Sequence, residues 1–362
     1  MPDRVDCVIL GGGIAGVTLA WQLFERNRSF ALVDPPGGGG ASAVAGGLVT
    51  PLTGKRLAAT FAFEEAYPIC DRFYRRVEVY LQRRVWHVSG SARVCHNAEE
   101  LDWMRGRLAE FPGIDTVWLS RDWFDARWHG FAGGFYMPQA ARLDVPGFLS
   151  ASLEFFAARG AFYPGKVDFS TDVELRGDGV RVGPLELAAD YVVSCRGAAD
   201  RLEPLLAAAQ FRPAQGDILH LRLPEPLEAM TLHAGWWLTP LEAGRDSPLV
   251  TPRPTSREWL LGSTYQWRPL DNLPSPLGRE SLLERLRQHL SLRPEVLEHR
   301  VGIRPSSVDH HPLVGVHPAH GRLALFNGLG AKGCYLAPWC ASRLVDHLFE
   351  SRPMPDAIKW PR

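Results

Sequence analysis

Chemistry in this chain begins with three glycines and an acid. Gly11-Gly12-Gly13-Ile14-Ala15-Gly16 follows a short apolar run from Val5 to Leu10 and leads into Val17-Thr18-Leu19-Ala20-Trp21-Gln22-Leu23, which predicts a helix. Asp34 closes the next apolar run, Phe30 to Val33. Strand, glycine turn, helix, strand and acid, in that order, is the layout that binds a dinucleotide. Gly11 supplies the tight turn, Gly13 lets backbone approach a pyrophosphate, and Gly16 lets the helix lie close on the strand. The helix N-terminus offers free N–H groups and a positive dipole end to phosphate. Asp34 would accept hydrogen bonds from a ribose. A second glycine turn, Gly328-Leu329-Gly330-Ala331-Lys332-Gly333, precedes a predicted final helix over 336–350, whose N-terminus is equally free to approach a ligand.

These turns need a scaffold. At 362 residues the chain is long enough for about two domains with large cores. Hydrophobic residues at 46% and charged residues at 22% describe an ordinary globular protein. Forty basic and forty acidic side chains cancel, so no whole-molecule field draws in nucleic acid or an anionic membrane. No apolar run reaches the length of a membrane span, and the first strand begins at Val5, leaving no room for a signal peptide before it. Six cysteines are scattered, with no CxxC pair and no zinc-like cluster. Cys7, Cys195 and Cys334 read as small buried side chains, and a reducing cytoplasm is the natural compartment.

Along the chain, 35–47 is loop with four consecutive glycines. The stretch 60–86 predicts a helix, with Phe61, Phe63, Ile69, Phe73, Val77 and Leu81 on one side and a row of arginines, Arg72 to Arg84, on a solvated face. A further helix is expected over 99–111, and Asp144 caps another that runs to Gly160. Strand patterns follow at 166–169, 172–175 and 180–182, and 191–197 is a buried strand ending in glycine. Residues 214–267 alternate apolar and polar with many aromatics, as in an antiparallel sheet. A charged helix over 279–292 and a buried strand over 323–326 complete the pattern. The fold expected is α/β, or α+β overall. A Rossmann-like domain comprises 1–75, 141–205 and 301–362, and an inserted antiparallel β-sheet substrate domain comprises 76–140 and 206–300.

Further pieces keep a fixed order across almost the whole chain: Ala41-Ser42-Ala43-Val44-Ala45-Gly46-Gly47, then Val192 to Gly197, then Gly302-Ile303-Arg304-Pro305, Asp309, Pro312, Gly315 and Gly328 to Pro338. With the first glycine turn they resemble the flavin-dependent D-amino-acid oxidase superfamily, and within it the glycine oxidases. The inserted domain matches by pattern only. The resemblance implies FAD, a glutathione-reductase-type FAD fold, and an oxidoreductase that takes hydride from the α-carbon of a small amine or amino acid carrying a carboxylate to flavin N5. It also implies roles for individual residues. Gly11, Gly13 and Gly16, with Ile14 and Ala15, would hold the pyrophosphate, and Asp34 the AMP ribose. Ser42, Gly46, Gly47 and Gly197 would lie along the cofactor, and Val167 would meet the adenine through its backbone. Gly330, Ala331, Lys332 and Gly333 would border the pyrimidine edge of the isoalloxazine.

In glycine-oxidase-like members the arginine of the Arg-Pro pair binds the substrate carboxylate, which assigns that role to Arg304. Its planar fork suits a carboxylate in a way lysine cannot match. The competing reading pairs Arg304 with a structural acid such as Asp309. Lys332 would stabilise negative charge on the reduced ring or assist oxygen chemistry, or be an exposed loop lysine whose backbone alone serves. Tyr265 completes the expected catalytic set, and Trp236, Trp237, Tyr265 and Trp267 are candidate pocket walls. His310 and His311 flank the same region and fit a structural role better than a catalytic one. Sarcosine-oxidase-like relatives attach FAD through a cysteine just before the Asp309 segment, and 301–304 carries none, so non-covalent FAD is expected. Thr50 to Arg56 departs from the glycine-oxidase pattern, which leaves the substrate open.

One rival stays within flavin chemistry. The 328–333 loop also resembles the oxidoreductase half of the bifunctional enzyme that matures 5-methylaminomethyl-2-thiouridine in tRNA, a carboxymethylaminomethyl-demodifying activity on the wobble uridine. Neutral overall charge argues against nucleic acid as a partner. A non-catalytic flavin-binding module and an NAD-dependent dehydrogenase are the remaining alternatives, the last leaving the second glycine loop unexplained. The electron acceptor, O2 or another, and the oligomeric state are not legible.

Overall fold

A computed structural model describes residues 4–37, 40–124, 127–241 and 254–361. Gly38 and Gly39 of the glycine run, and 242–253 of the expected antiparallel region, lie outside the described residues. Five apolar strands form a parallel sheet in the spatial order Phe162–Pro164, Phe30–Asp34, Arg4–Leu10, Leu187–Ser194, Leu323–Asn327. Their near-continuous apolar character follows from burial on both faces. On one face lie helices α1 (Ile14–Glu25), α2 (Phe63–Leu81), α4 (Val145–Ala157) and α7 (Gly333–Glu350), sharing a single core. Trp21 of α1 is fully enclosed there, and its indole N–H donates to Ser152 Oγ of α4 at 2.9 Å. On the other face the antiparallel strands Val173–Arg176 and Gly179–Val182 extend from the first half of Leu187–Ser194 over a second core.

The second large sheet follows the order Glu295–Arg304, Ala214–Glu228, Pro254–Gly262, Trp237–Pro240, Thr231–His233, Ser91–Cys95, Gly133–Met137, Val117–Ser120. It is antiparallel as expected, except that Thr231–His233 runs parallel to Ser91–Cys95, the seam between its two chain segments. Helix α3 (Ala98–Leu108) packs against Ser91–Cys95, and helix α6 (Pro276–Arg287) against Ala214–Glu228.

Several expectations shift. The strand expected at 166–169 is absent, and Phe169–Asp172 is a short helix, α5. Two reciprocal bonds explain it: Ser170 N–H donates to Asp168 Oδ1 at 2.9 Å, and Asp168 N–H to Asp172 Oδ2 at 2.8 Å. Together they make a local cap that outcompetes strand pairing. Helix α2 stops at Leu81, where Gln82 turns left-handed, and Trp86–His87 becomes a short strand. The same helix runs unbroken across residues 75 and 76, and its buried Cys70, Phe73, Tyr74 and Val77 join the core beneath α1 and α7. Of the arginine row, Arg75 pairs with Asp71 and Arg76 with Glu25, both half exposed, as a solvated face requires.

A buried acid ties the ends of two central strands together. Asp200, with no exposed surface, accepts Ser194 Oγ–H at 2.7 Å, Arg196 Nε–H at 2.8 Å and Asn327 Nδ2–H at 2.8 Å. Asn327 also donates to the Gly197 carbonyl at 2.9 Å. Burial pushes the Asp200 carboxyl up, and Arg196 pulls it back. Asp200→Ala leaves the Ser194 hydroxyl and the Asn327 amide without their shared acceptor, while Arg196 keeps Glu203 at 3.0 Å, so it should cost about 1–3 kcal/mol in a urea unfolding titration.

Candidate functional site

The C-terminal ends of the parallel strands open on a cavity of about 710 Å³, the place where open α/β sheets take ligands. Its walls draw on Gly11, Gly13, Ile14 and Ala15, on Asp34, on Ser42, Gly46 and Gly47, on Val167 and Gly197, on Arg304, and on Gly330, Ala331 and Gly333. Segments more than 300 positions apart in sequence thus border one space. Gly16 lies behind this wall, packed on the Gly11 carbonyl and Ile9. Gly11 adopts φ +112, and a Cβ there would lie 2.5 Å from the Cys195 carbonyl oxygen, so only glycine fits the turn.

The acid and the first helix are locked together. Gly12 N–H donates to Asp34 Oδ1 at 2.8 Å, and Ile14 N–H to Ser42 Oγ at 3.1 Å. Burial raises the Asp34 carboxyl above its ordinary range, and the Gly12 bond opposes that. At the other end, Lys332 caps α7 from one position behind the wall made by Ala331 and Gly333. Its backbone N–H donates to the Leu329 carbonyl at 2.9 Å, so that N–H is consumed within the turn. Burial lowers the ammonium pKa.

Arg304 ends the strand Glu295–Arg304 and lies against Gly216, where any Cβ would collide with the guanidinium. Nη1 makes one long bond, 3.4 Å, to the Thr264 carbonyl. Thr264 is itself held by the enclosed Asp217, whose Oδ2 accepts its hydroxyl at 2.6 Å. No carboxylate forms an ion pair with Arg304 among the described residues, and Asp309 instead accepts the His311 N–H at 3.0 Å. Burial lowers the Arg304 pKa, with Tyr265 and Asp217 acting against it.

The aromatic candidates separate. Trp237 forms part of the cavity wall, its six-membered ring 2.6 Å from where a Gly46 Cβ would stand. Trp236 is buried in the core of the second sheet. Tyr265 and Trp267 are exposed, edge to face at 5.2 Å, and outside the cavity lining. His310 is exposed in a left-handed turn, and His311 stacks on Phe61 at 4.4 Å; neither lines the cavity. Sequence reasoning missed Gly216, Ser263, Asn272 and Arg201 in the lining. Gly216 carried a usable signal, since an isolated glycine in a strand pattern marks a close approach.

One acid, the N-termini of α1 and α7 and the cations Lys166, Arg196, Arg201 and Arg304 around one cavity suit a dinucleotide such as FAD. Among the described residues no group of His, Cys, Asp or Glu is arranged to hold a metal, and no helix is long and apolar enough to cross a membrane.

Comparison with known proteins agrees. The sequence profile of the family described as FAD dependent oxidoreductase (DAO) matches residues 6–347. The chain is 26% identical over 358 residues to a putative thiamine biosynthesis oxidoreductase ThiO of Rhizobium etli, covering 96% of this chain and 98% of that one. It is 26% identical to a glycine oxidase of Pseudomonas aeruginosa, covering 99% and 98%. To the bifunctional tRNA 5-methylaminomethyl-2-thiouridine biosynthesis protein MnmC of Marinobacter nauticus it is 26% identical over 94% of this chain, and it spans about half (55%) of that protein's length. The solved glycine oxidase of Geobacillus kaustophilus superposes with a TM-score of 0.79 at 20% identity, over 97% of this chain and 96% of that one. If the Gly46 and Trp237 contact shapes the cavity, Gly46→Val should weaken FAD binding about tenfold or more by overpacking. Fluorescence titration of the apoprotein with FAD measures it.

Proposed function

The chain belongs to the DAO family of FAD-dependent oxidoreductases, which act on amine CH–NH groups, and on that premise we propose that it oxidises a small amine carrying a carboxylate. The observation that carries this reading is Arg304, a partly buried guanidinium lining the cavity with no described carboxylate partner. Gly11 to Ala15, Asp34, Ser42, Gly46, Gly47, Val167, Gly197 and Gly330 to Gly333 would hold FAD without a covalent bond. When bound, FAD supplies the two-electron acceptor for the C–H bond beside nitrogen.

The chain's own work is positioning. Arg304 fixes the carboxylate bidentately, and the Trp237 indole limits how the amine can lie, so that one C–H bond is presented in a single orientation. Among the described residues the cavity lining contains one acid, Asp34, and no histidine. Asp34 is committed to the Gly12 N–H, at the nucleotide end in this assignment. No described side chain at the substrate end is therefore placed to take the amine proton, and on this reading the amine enters neutral. Lys332 and Tyr265, outside the lining, act on this reading through charge and rim rather than by contact. A cytoplasmic site and O2 or another small acceptor complete the proposal.

A second reading has one observation in its favour. Exposed Tyr265 and Trp267, with the Arg212 guanidinium 5.6 Å from the Trp267 ring centroid, form a platform on which a base could stack. A wobble-uridine substrate would use it. Salt-sensitive tRNA binding by gel shift separates the two readings.

Anaerobic addition of amino acids and N-methylated amines should bleach the flavin band with at least one of them. Arg304→Ala should lower kcat/KM for that amine by on the order of 10²–10³-fold, with Arg304→Lys recovering part. The pH profile of kcat/KM should rise through the substrate amine's own pKa and level off. An additional ionisation near that of histidine, unmoved by changing the substrate, would contradict the absence of a protein base.

A further inference from the structure

A second buried arginine lies behind the Gly46 loop, and nothing above uses it. Arg142 is central in the strand Ala141–Leu143 and only 4% exposed. It pairs across the small sheet with Leu48 on one side and His87 on the other. Ladder partners project to the same face, and Leu48 lines the cavity, so Arg142 stands on that side of the small sheet, one layer behind the lining residues Gly46 and Leu48. Nε donates to the Gly46 carbonyl at 3.3 Å and Nη1 to the Leu241 carbonyl at 3.4 Å, both long bonds to neutral acceptors. Nη2 has no acceptor among the described residues and is not one of the sealed, partnerless nitrogens.

No described carboxylate forms an ion pair with it. Asp144, two residues on, lies within its field but accepts the Gly147 N–H and is shared with Arg83 at 3.6 Å. His87, on the same face, has an enclosed Nδ1 without a partner, and burial together with Arg84 and Arg142 lowers its pKa. Cys334, in the first turn of α7, lies within the field of Arg142, so the guanidinium and the helix N-terminus favour negative charge in the same neighbourhood. A buried guanidinium with only long bonds to neutral carbonyls and one shared, unpaired acid in its field is costly unless a ligand completes it.

Its place relative to Arg304 is set by Trp237. The six-membered ring of Trp237 is wedged between Gly46 and Gly262, while Arg304 lies over Gly216. Gly262 pairs with Ile218, so Gly216 is two residues along that face, ~7 Å away. The Arg304 guanidinium thus lies over Gly216, two residues along from the position facing Gly262, and Arg142 bonds the carbonyl of Gly46, against which the same indole packs.

We propose that Arg142 anchors a second carboxylate, and that the amine recognised here is a dicarboxylate whose acid arms reach Arg304 and Arg142. This deepens the amine-oxidation reading and rests on it for the identity of the reacting group. The test is binding of unreactive probes to the FAD-loaded protein, followed by calorimetry and by perturbation of the visible flavin spectrum. Thiodiacetate offers two carboxylates and (methylthio)acetate one. Wild type should prefer thiodiacetate by about tenfold or more. Arg142→Met should weaken thiodiacetate far more than (methylthio)acetate, and Arg142→Lys should restore part of the preference. Equal binding of both probes by wild type overturns the proposal, and needs no variant to fold. So does an equal loss for both probes in Arg142→Met, the signature of a clamp that only holds the Gly46 carbonyl. If the probe preference holds but no amine bleaches the flavin, amine oxidation fails while the second anchor stands.

Discussion

Everything at this site depends on backbone approaching backbone more closely than side chains permit. The turn at Gly11 touches the carbonyl of Cys195, where the strand Leu187–Ser194 ends. That contact brings the first helix, the acid at the end of the second strand and the 197 loop to one rim. The Asp200 network holds the same rim from below by tying Ser194, Arg196 and Asn327 to one carboxylate. Turn and network act on the same two strand ends, one by exclusion of a Cβ and the other by charge and hydrogen bonding.

The electrostatics of the cavity are lopsided. Its described lining carries one acid, Asp34 with a raised pKa, against Lys166, Arg196, Arg201 and Arg304, and the N-terminus of α7 borders the same space. Net charge of zero over the whole chain conceals this excess. Long-range attraction is therefore weak, and selectivity for acidic groups must arise after entry, where water is displaced and charge is poorly screened.

The nucleotide half was legible because its signals are local. The glycine turn, the Asp34 position and the cap at Asp144 are each set by neighbours within a few residues, and each was read at its correct place. Local signals also explain the miss at 166–169, where a two-residue cap at Asp168 overrode a strand pattern. The substrate half was less legible because its geometry is set by cross-strand neighbours. Trp236 and Trp237 are adjacent in sequence, yet one fills a core and the other faces the cavity, and strand register alone decides which. Arg142 was invisible for the same reason: that its guanidinium is buried and meets only neutral carbonyls at hydrogen-bond distance is settled in three dimensions, which no spacing reveals.

The order of strands carries a consequence for how the molecule is made. Arg4–Leu10 pairs with Leu187–Ser194, synthesised well after it, and Leu323–Asn327 and α7 emerge later still. Since α7 packs directly on α1, this half cannot close until the long stretch of chain between those two helices has been synthesised, roughly tens of seconds at ordinary elongation rates. During that interval the apolar faces of the nascent sheet are open, so this is a protein whose yield should follow chaperone supply more closely than its final stability.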